Sequence, residues 1–207
     1  MNAKALFDAA VTPNADIRTA LRAALVLVIL CGGIYPALTT VVGGALFPAQ
    51  ATGSLIFRNG EAIGSALVGQ PFKSKRYFYG RPSAAGYRAS SMAGSNLAPS
   101  NPALRARVRA RARSIAALEG ITLTQIPVDL VAASGSGIDP HISPAAAAIQ
   151  IDRVARARGI APARVRQLVA AYTEPPVLGM LGQPRVHVLR LNLALDRLTG
   201  GSEGNGG

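Results

Sequence analysis

From Ala23 to Phe57 the chain carries no Asp, Glu, Lys or Arg, although 15% of the whole sequence is charged. The apolar heart of that stretch, Ala23 to Phe47, reads AALVLVILCGGIYPALTTVVGGALF. At about 1.5 Å per residue, a helix of ~25 residues crosses the ~30 Å hydrocarbon layer of a bilayer with some tilt to spare. The run divides the sequence into an N-terminal stub at residues 1–22, a transmembrane helix at 23–47, one soluble domain at 48–198 and a Gly-rich tail at 199–207, the last expected to be disordered.

Two other origins for such a run have to be weighed. Ala49-Gln50-Ala51 has the small-x-small form of a secretory cleavage site. A cleaved signal has an apolar region of only ~7–15 residues after a short basic start, whereas here a long stub containing Asp8 and Asp16 comes first. A buried core helix is the other alternative, but so long a charge-free run is rare in a soluble fold. Length and flanks favour a retained anchor. Within it, Gly32, Gly33 and Pro36 are placed to bend the helix, and Gly43, Gly44 and Ala45 would let a second helix approach closely.

Arg18 and Arg22 sit close to the N-terminal edge of the span, and no charge comes after it until Arg58. Basic residues near a membrane helix favour the cytoplasmic side. The expected topology is an N-terminus in the cytoplasm and a large domain outside, in the periplasm if the membrane is a bacterial inner membrane. The one cysteine, Cys31, falls within the span, so the exported domain needs no disulfides.

The formal net charge of +12 raises nucleic-acid binding as a class. The densest basic run, Arg105, Arg107, Arg109, Arg111 and Arg113, alternates with Ala and Val. On a helix these arginines flank an apolar stripe of Leu104, Val108 and Ile115. No nucleic-acid fold motif or interleaved aromatic accompanies them, and an exported domain does not meet nucleic acid. Membrane lipid headgroups or an acidic partner fit the basic face better.

The soluble part reads as a single α+β domain of mixed helices and strands. Ser54–Phe57 and Ala62–Val68 flank Arg58-Asn59-Gly60, a hairpin signal, since Asn-Gly supplies the positive φ angles of a tight turn. Residues 86–102 are rich in Gly, Ser, Asn and Pro and read as a long surface loop. A helix is expected from Pro102 to Leu118, ended by Gly120, and then a short strand over Ile126–Ala132. Ser143 before Pro144 starts a helix that runs to Arg158. A further helix spans Pro162–Tyr172. Arg185–Leu191 alternates like a strand, and Asn192–Leu198 closes as a short helix.

Two histidines, His141 and His187, stand far apart without a cysteine or paired carboxylates beside them, so a zinc site is not expected. Ser136, Asp139 and His141 contain the residue types of a serine hydrolase. Three residues within six positions of one loop rarely reach triad geometry, and Gly135-Ser136-Gly137 lacks the spacing of a nucleophile elbow. A structural loop, with Ser and Asp side chains closing on backbone donors, is the simpler expectation.

These residues also carry a resemblance. Gly33-Ile34-Tyr35-Pro36 in the span, Gly53-Ser54-Leu55-Ile56, Gly69-Gln70-Pro71-Phe72, Tyr77-Phe78 with Arg81-Pro82-Ser83-Ala84, and Gly94-Ser95-Asn96-Leu97 occur in that order. The most specific piece is DLVAASGSGIDPHIS at Asp129–Ser143, with its loop Ser134, Gly135, Ser136, Gly137, Asp139, Pro140 and His141. Gln150, Arg153-Val154-Ala155 and Asn192–Asp196 continue it. The ensemble resembles the C subunit of the Kdp potassium-transporting P-type ATPase, from the span to Leu198.

The resemblance implies a non-catalytic accessory subunit of a high-affinity, ATP-driven potassium importer in the bacterial inner membrane. Its implied partners are a channel-like potassium-binding subunit, the P-type ATPase catalytic subunit and a small single-span subunit. It implies help in assembly and a raised ATP affinity of the pump, with Gln150 as the candidate for nucleotide contact; no cofactor is expected to be bound permanently, and ATP is what the family implies. An external domain cannot meet cytoplasmic ATP at Gln150, so orientation and nucleotide contact pull in opposite directions. The alternatives are a free-standing membrane-anchored binding or scaffold protein and an anchored hydrolase built on Ser136, Asp139 and His141.

Overall fold

The computed structural model describes residues 13–200; the start of the expected stub and nearly all of the expected tail lie outside the described residues. The described residues divide into two compact units, 13–54 and 55–200.

In the first unit, α1 (Pro13–Leu27), a π-helical stretch (Val28–Ile34) and α2 (Tyr35–Leu46) succeed one another without a break. Ile17–Leu46 is long and apolar enough to cross a membrane. Its large apolar side chains are exposed rather than packed in a core, which removes the core-helix alternative. The π turn has a local cause. Pro36 donates no backbone hydrogen bond, and its ring crowds the carbonyl one turn earlier. Widening that turn lets the Tyr35 N–H reach Leu30, five residues back, and the helix continues. A short α3 (Pro48–Ala51) ends the unit.

The second unit opens with the expected hairpin, β1 (Leu55–Arg58) against β2 (Glu61–Ser65), with a bulge between Ile56 and Phe57. Asn59 and Gly60 both take positive φ at its turn. Between β2 and α4 (Pro102–Glu119) there is no regular element except a 3-10 turn at Ala89–Ser91. Asn101 caps α4 by accepting the Ala103 N–H, and Gly120 ends it at φ 71°. Then come β3 (His141–Ile142), α5 (Pro144–Ala148), α6 (Ile151–Arg158), α7 (Pro162–Ala171), β4 (Thr173–Glu174), β5 (Arg185–His187) and α8 (Val188–Leu198). β5 is the central strand of an antiparallel sheet ordered β3-β5-β4, pairing His141 with His187 and Thr173 with Val186. The core gathers Phe78, Ile142, Val154, Val165, Val186, Leu191 and Leu195. A single apolar helix leading into an α+β region is thus the observed architecture.

Four expectations need correction. Ile126–Ala132 is not a strand: Pro127 has no ladder donor, and Val128–Leu130 forms a 3-10 turn. That turn aims Asp129 at Ser143, accepting its N–H at 2.7 Å and its hydroxyl at 3.1 Å. The helix from Ser143 to Arg158 is two helices, because the chain turns at Ile149–Gln150 and the Gln150 amide donates to the Ala146 carbonyl at 3.0 Å. The strand at Arg185 stops at His187, whose imidazole accepts the Arg190 N–H at 3.4 Å and starts α8 early. Lastly, Arg111 is not a solvated flank of α4; it turns inward and donates to the Leu130 carbonyl at 2.7 Å.

Near the sheet a tight turn presents Val177, Leu178, Met180 and Leu181 to solvent, held by paired hydrogen bonds between Val177 and Leu181, both 2.9 Å. Burial makes a clear prediction here. Leu191→Ala, at a position 0% exposed, should cost about 2–5 kcal/mol. Leu178→Ala, at a position 82% exposed, should stay within about 0.5 kcal/mol of the parent. Thermal unfolding of the full chain in detergent measures both.

Candidate functional site

Residues 77–79 cross the core without a strand or helix to take their backbone hydrogen bonds, and buried groups of this kind must find partners. Two carboxamides supply them. Asn192 on α8 accepts the Phe78 N–H at 2.8 Å and donates to the Phe78 carbonyl at 3.0 Å. Gln150, at the turn between α5 and α6, accepts the Tyr79 N–H at 2.8 Å and donates to the Tyr79 carbonyl at 3.2 Å. Each amide acts as a one-residue strand. Both side chains are about as buried as side chains become, at 1% exposure.

Two arginines of α6 extend the clamp toward the start of the segment. Arg153 donates to the carbonyls of Lys75 at 2.6 Å and Tyr77 at 2.9 Å, to Gln150 Oε1 at 2.8 Å and to Glu119 Oε1 at 2.8 Å. Its guanidinium also stacks on the Tyr79 ring, 4.4 Å from the centroid. Arg158 donates to the Arg76 carbonyl at 2.7 Å and to Asp196 Oδ1 at 2.9 Å, and lies over the Tyr77 ring. Asp196 in turn takes the Tyr77 hydroxyl at 3.2 Å and Arg58 of the hairpin at 3.1 Å. Burial pushes the Glu119 carboxyl above its ordinary range and Arg153 only partly offsets this. Its second oxygen has no partner among the described residues.

The loop at Ser134–His141 holds the other end of the same segment. Ser134 is buried, accepts the Gly137 N–H at 2.8 Å and sends its own N–H to the Pro82 carbonyl at 3.1 Å. The Ser83 hydroxyl donates to the Gly137 carbonyl and accepts the Tyr87 N–H at 2.8 Å, and the Tyr87 hydroxyl closes on the Arg81 carbonyl. Gly137 has φ 72°, and a Cβ there would lie 2.6 Å from the Ala93 carbonyl oxygen. Asp139 binds Arg81 at 3.0 Å and caps the His141 N–H at 2.9 Å. Burial alone would raise the Asp139 pKa, but its hydrogen bonds to His141 and Arg81 outweigh that and hold it below the ordinary value. The Pro140 carbonyl accepts the Val188 N–H at 3.0 Å, which ties the loop to the start of α8.

His141 and His187 face each other across β3 and β5, ring centroids 5.1 Å apart. His187 Nδ1 accepts from Arg190, so Nε2 carries the proton and donates to the Ala66 carbonyl at 2.9 Å. Burial lowers the His187 pKa, and His141 and Arg190 add to the effect. His141 lies half-exposed, 3.4 Å from Asp139 and 3.9 Å from Glu174.

The predicted residues therefore fall into two groups that meet on one strip of chain. Gln150 grips it at Tyr79; Ser134, Gly137 and Asp139 grip it at Arg81–Ser83. Gly135 and Ser136 are exposed, and Ser136 accepts the Ile138 N–H at 3.2 Å. Among the described residues no hydrogen bond joins Ser136 to His141, so the residues of the hydrolase alternative are not assembled as a triad. Sequence reasoning does not single out Asn192, Arg153, Arg158, Asp196 and Arg81 as site residues. The signal open to it is polar residues on the apolar faces of helices: Arg153 beside Ile151 and Val154, and Asn192 and Asp196 beside Leu191 and Leu195.

The family model KdpC, described as the c chain of the K+-transporting ATPase, matches residues 17–197. A protein of Shewanella putrefaciens named potassium-transporting ATPase KdpC subunit is 56% identical over 178 residues, which cover 86% of this chain and 89% of that one. Proteins with the same name from Sorangium cellulosum and Polaromonas naphthalenivorans are each 54% identical over 185 residues. These cover 88% of this chain and 97% and 94% of the two relatives.

The geometry yields two expected outcomes. Asn192→Leu orphans the Phe78 N–H and carbonyl in the core, which should cost about 1–3 kcal/mol for each unpaired group and lower the thermal midpoint of the full chain. His187 is held neutral in the fold below its ordinary value of 6.5, so the unfolded chain binds the proton first as acid is added. The His187 contribution is present above about pH 6.5 and is lost as pH falls below it. Stability should decline as pH falls below about 6.5, and His187→Asn, which keeps a capping acceptor, should flatten that decline. The Asp139 contribution runs at lower pH, being lost only as pH falls through a value below 3.8.

Proposed function

The chain belongs to the KdpC family of K+-transporting ATPase c chains, and from that membership we propose that it is a non-catalytic accessory subunit bracing a potassium-import complex from outside the membrane. Its N-terminus lies in the cytoplasm in this reading, and the domain after the span lies on the far side. The partners are the potassium-binding channel-like subunit, the ATP-hydrolysing subunit and a small single-span subunit.

One observation carries the proposal: the side chains of the motif stretches hold the chain's own backbone. Gln150, Asn192, Ser134 and Asp139 all accept backbone N–H groups of this chain, which suits a rigid block better than a reacting centre. The apolar turn at Val177–Leu181 supports contact with a partner, since it is exposed and held in one shape before any partner arrives. A higher ATP affinity of the pump, in this reading, arises by coupling through the complex. Direct nucleotide contact at Gln150 would require Tyr79 to leave its amide, and ATP to reach the outer side.

The test uses the whole purified complex. With Leu178→Asp and Met180→Asp, the chain should keep its own thermal midpoint but be retained in the complex several-fold less. KM for ATP should rise in step with the lost subunit, while kcat of intact complexes is unchanged. A Gln150 variant that stays bound, keeps its midpoint and still raises KM for ATP would establish nucleotide contact instead.

A further inference from the structure

Four of the five arginines of α4, Arg105, Arg107, Arg109 and Arg113, are exposed, while Arg111 is turned inward. At ~100° per residue the outer half, opposite the Leu104–Val108–Ile115 side, holds Arg109 and Arg113, with Arg105 and Arg107 at its two edges, about 200° of arc in all. The remaining residues of the outer half are small: Ala103, Ala106, Ala110, Ser114 and Ala117. It carries no carboxylate and no large apolar side chain. Nor, among the described residues, does an acid elsewhere answer it. Glu119 pairs with Arg153, Asp139 with Arg81, Asp196 with Arg58 and Arg158, and Glu174 with Arg185. Among the described residues the four arginines of the outer face have no ion pair.

Two features choose the occupant of this face. Protein hot spots set Arg beside buried Trp, Tyr or other large anchors, and this face has Arg without any of them. Phosphate headgroups need only a row of charges, and guanidinium binds phosphate in a bidentate fork. The domain is also tethered close to such headgroups. Only residues 47–54 separate the end of the span at Leu46 from β1 at Leu55, a leash of at most about 30 Å. We propose that the outer face of α4 is a contact for anionic lipid headgroups, lying on the bilayer by charge without insertion and limiting the orientations of the domain.

The test labels the middle of that face. In the full chain, Cys31→Ser removes the one cysteine and Ala106→Cys accepts a spin label. The labelled chain is placed in nanodiscs of phosphatidylcholine alone or with phosphatidylglycerol. The proposal expects the label's accessibility to a water-soluble relaxation agent to fall several-fold in the phosphatidylglycerol discs at low salt and to recover at high salt, because such contacts are screened. Changing the four arginines to Gln should abolish the protection, and changing them to Lys should preserve most of it, with circular dichroism reporting an intact helix in both. Equal accessibility in the two lipids would overturn the proposal. So would protection that persists in phosphatidylcholine, in high salt or in the Gln variant.

Discussion

The structure depends on how the backbone of residues 77–79 is paired inside the core. An unpaired buried N–H or carbonyl costs about 1–3 kcal/mol, and this strip has no neighbouring strand to prevent that. Asn192, Gln150 and Arg153 take the place of one, and Arg158 extends the pairing to Arg76. Their positions set the places of α6 and α8, because an amide or guanidinium must sit within hydrogen-bond distance of a particular carbonyl. Apolar packing of Val154, Leu191 and Leu195 then fills the space around the strip. Packing alone tolerates a shift of register better than a bidentate amide does.

The same strip explains why the loop at Ser134–His141 is built from small and capping residues. Ser134 and Asp139 close the loop on itself and on Arg81, while Gly137 lets the Ala93 carbonyl approach. Gly69 plays the matching part from the other side: its N–H donates to Ile138 at 2.7 Å, and a Cβ there would strike the Asp139 carbonyl. Residues far apart in sequence are thus joined through one irregular segment. A buried ion pair such as Arg153–Glu119 adds little net stability by itself, but removing one partner strands the other charge. Rigidity with exposed faces left over suits the bracing role proposed for this chain.

How much was legible depended on the range of the interaction. Asn59-Gly60 announced the hairpin, and Pro102, Ser143-Pro144 and Gly120 announced helix ends, because each acts within a turn of its own position. Ile126–Ala132 misled, since its apolar residues suit a strand, whereas Pro127 and the reach of Asp129 to Ser143 made a 3-10 turn. Arg185–Leu191 misled similarly. Its alternation continues past His187, but capping of Arg190 by the imidazole and burial of Leu191 and Leu195 favoured a helix. Arg111 looked like its four neighbours in the run; only the Leu130 carbonyl distinguishes it.

By itself the sequence determined the long charge-free helix, the α+β class of the domain after it, the turns and caps, and through its ordered motifs the family. All of these rest on composition or on contacts between residues a few positions apart. The tertiary structure alone decided what the motif residues do. Gln150 reads as a polar residue in a helix until Tyr79 is placed against it, and Asn192 likewise until Phe78 is. The reason is physical: a carboxamide has the same donors and acceptors in solvent, at a ligand or on a backbone, and only the fold determines which of these it meets.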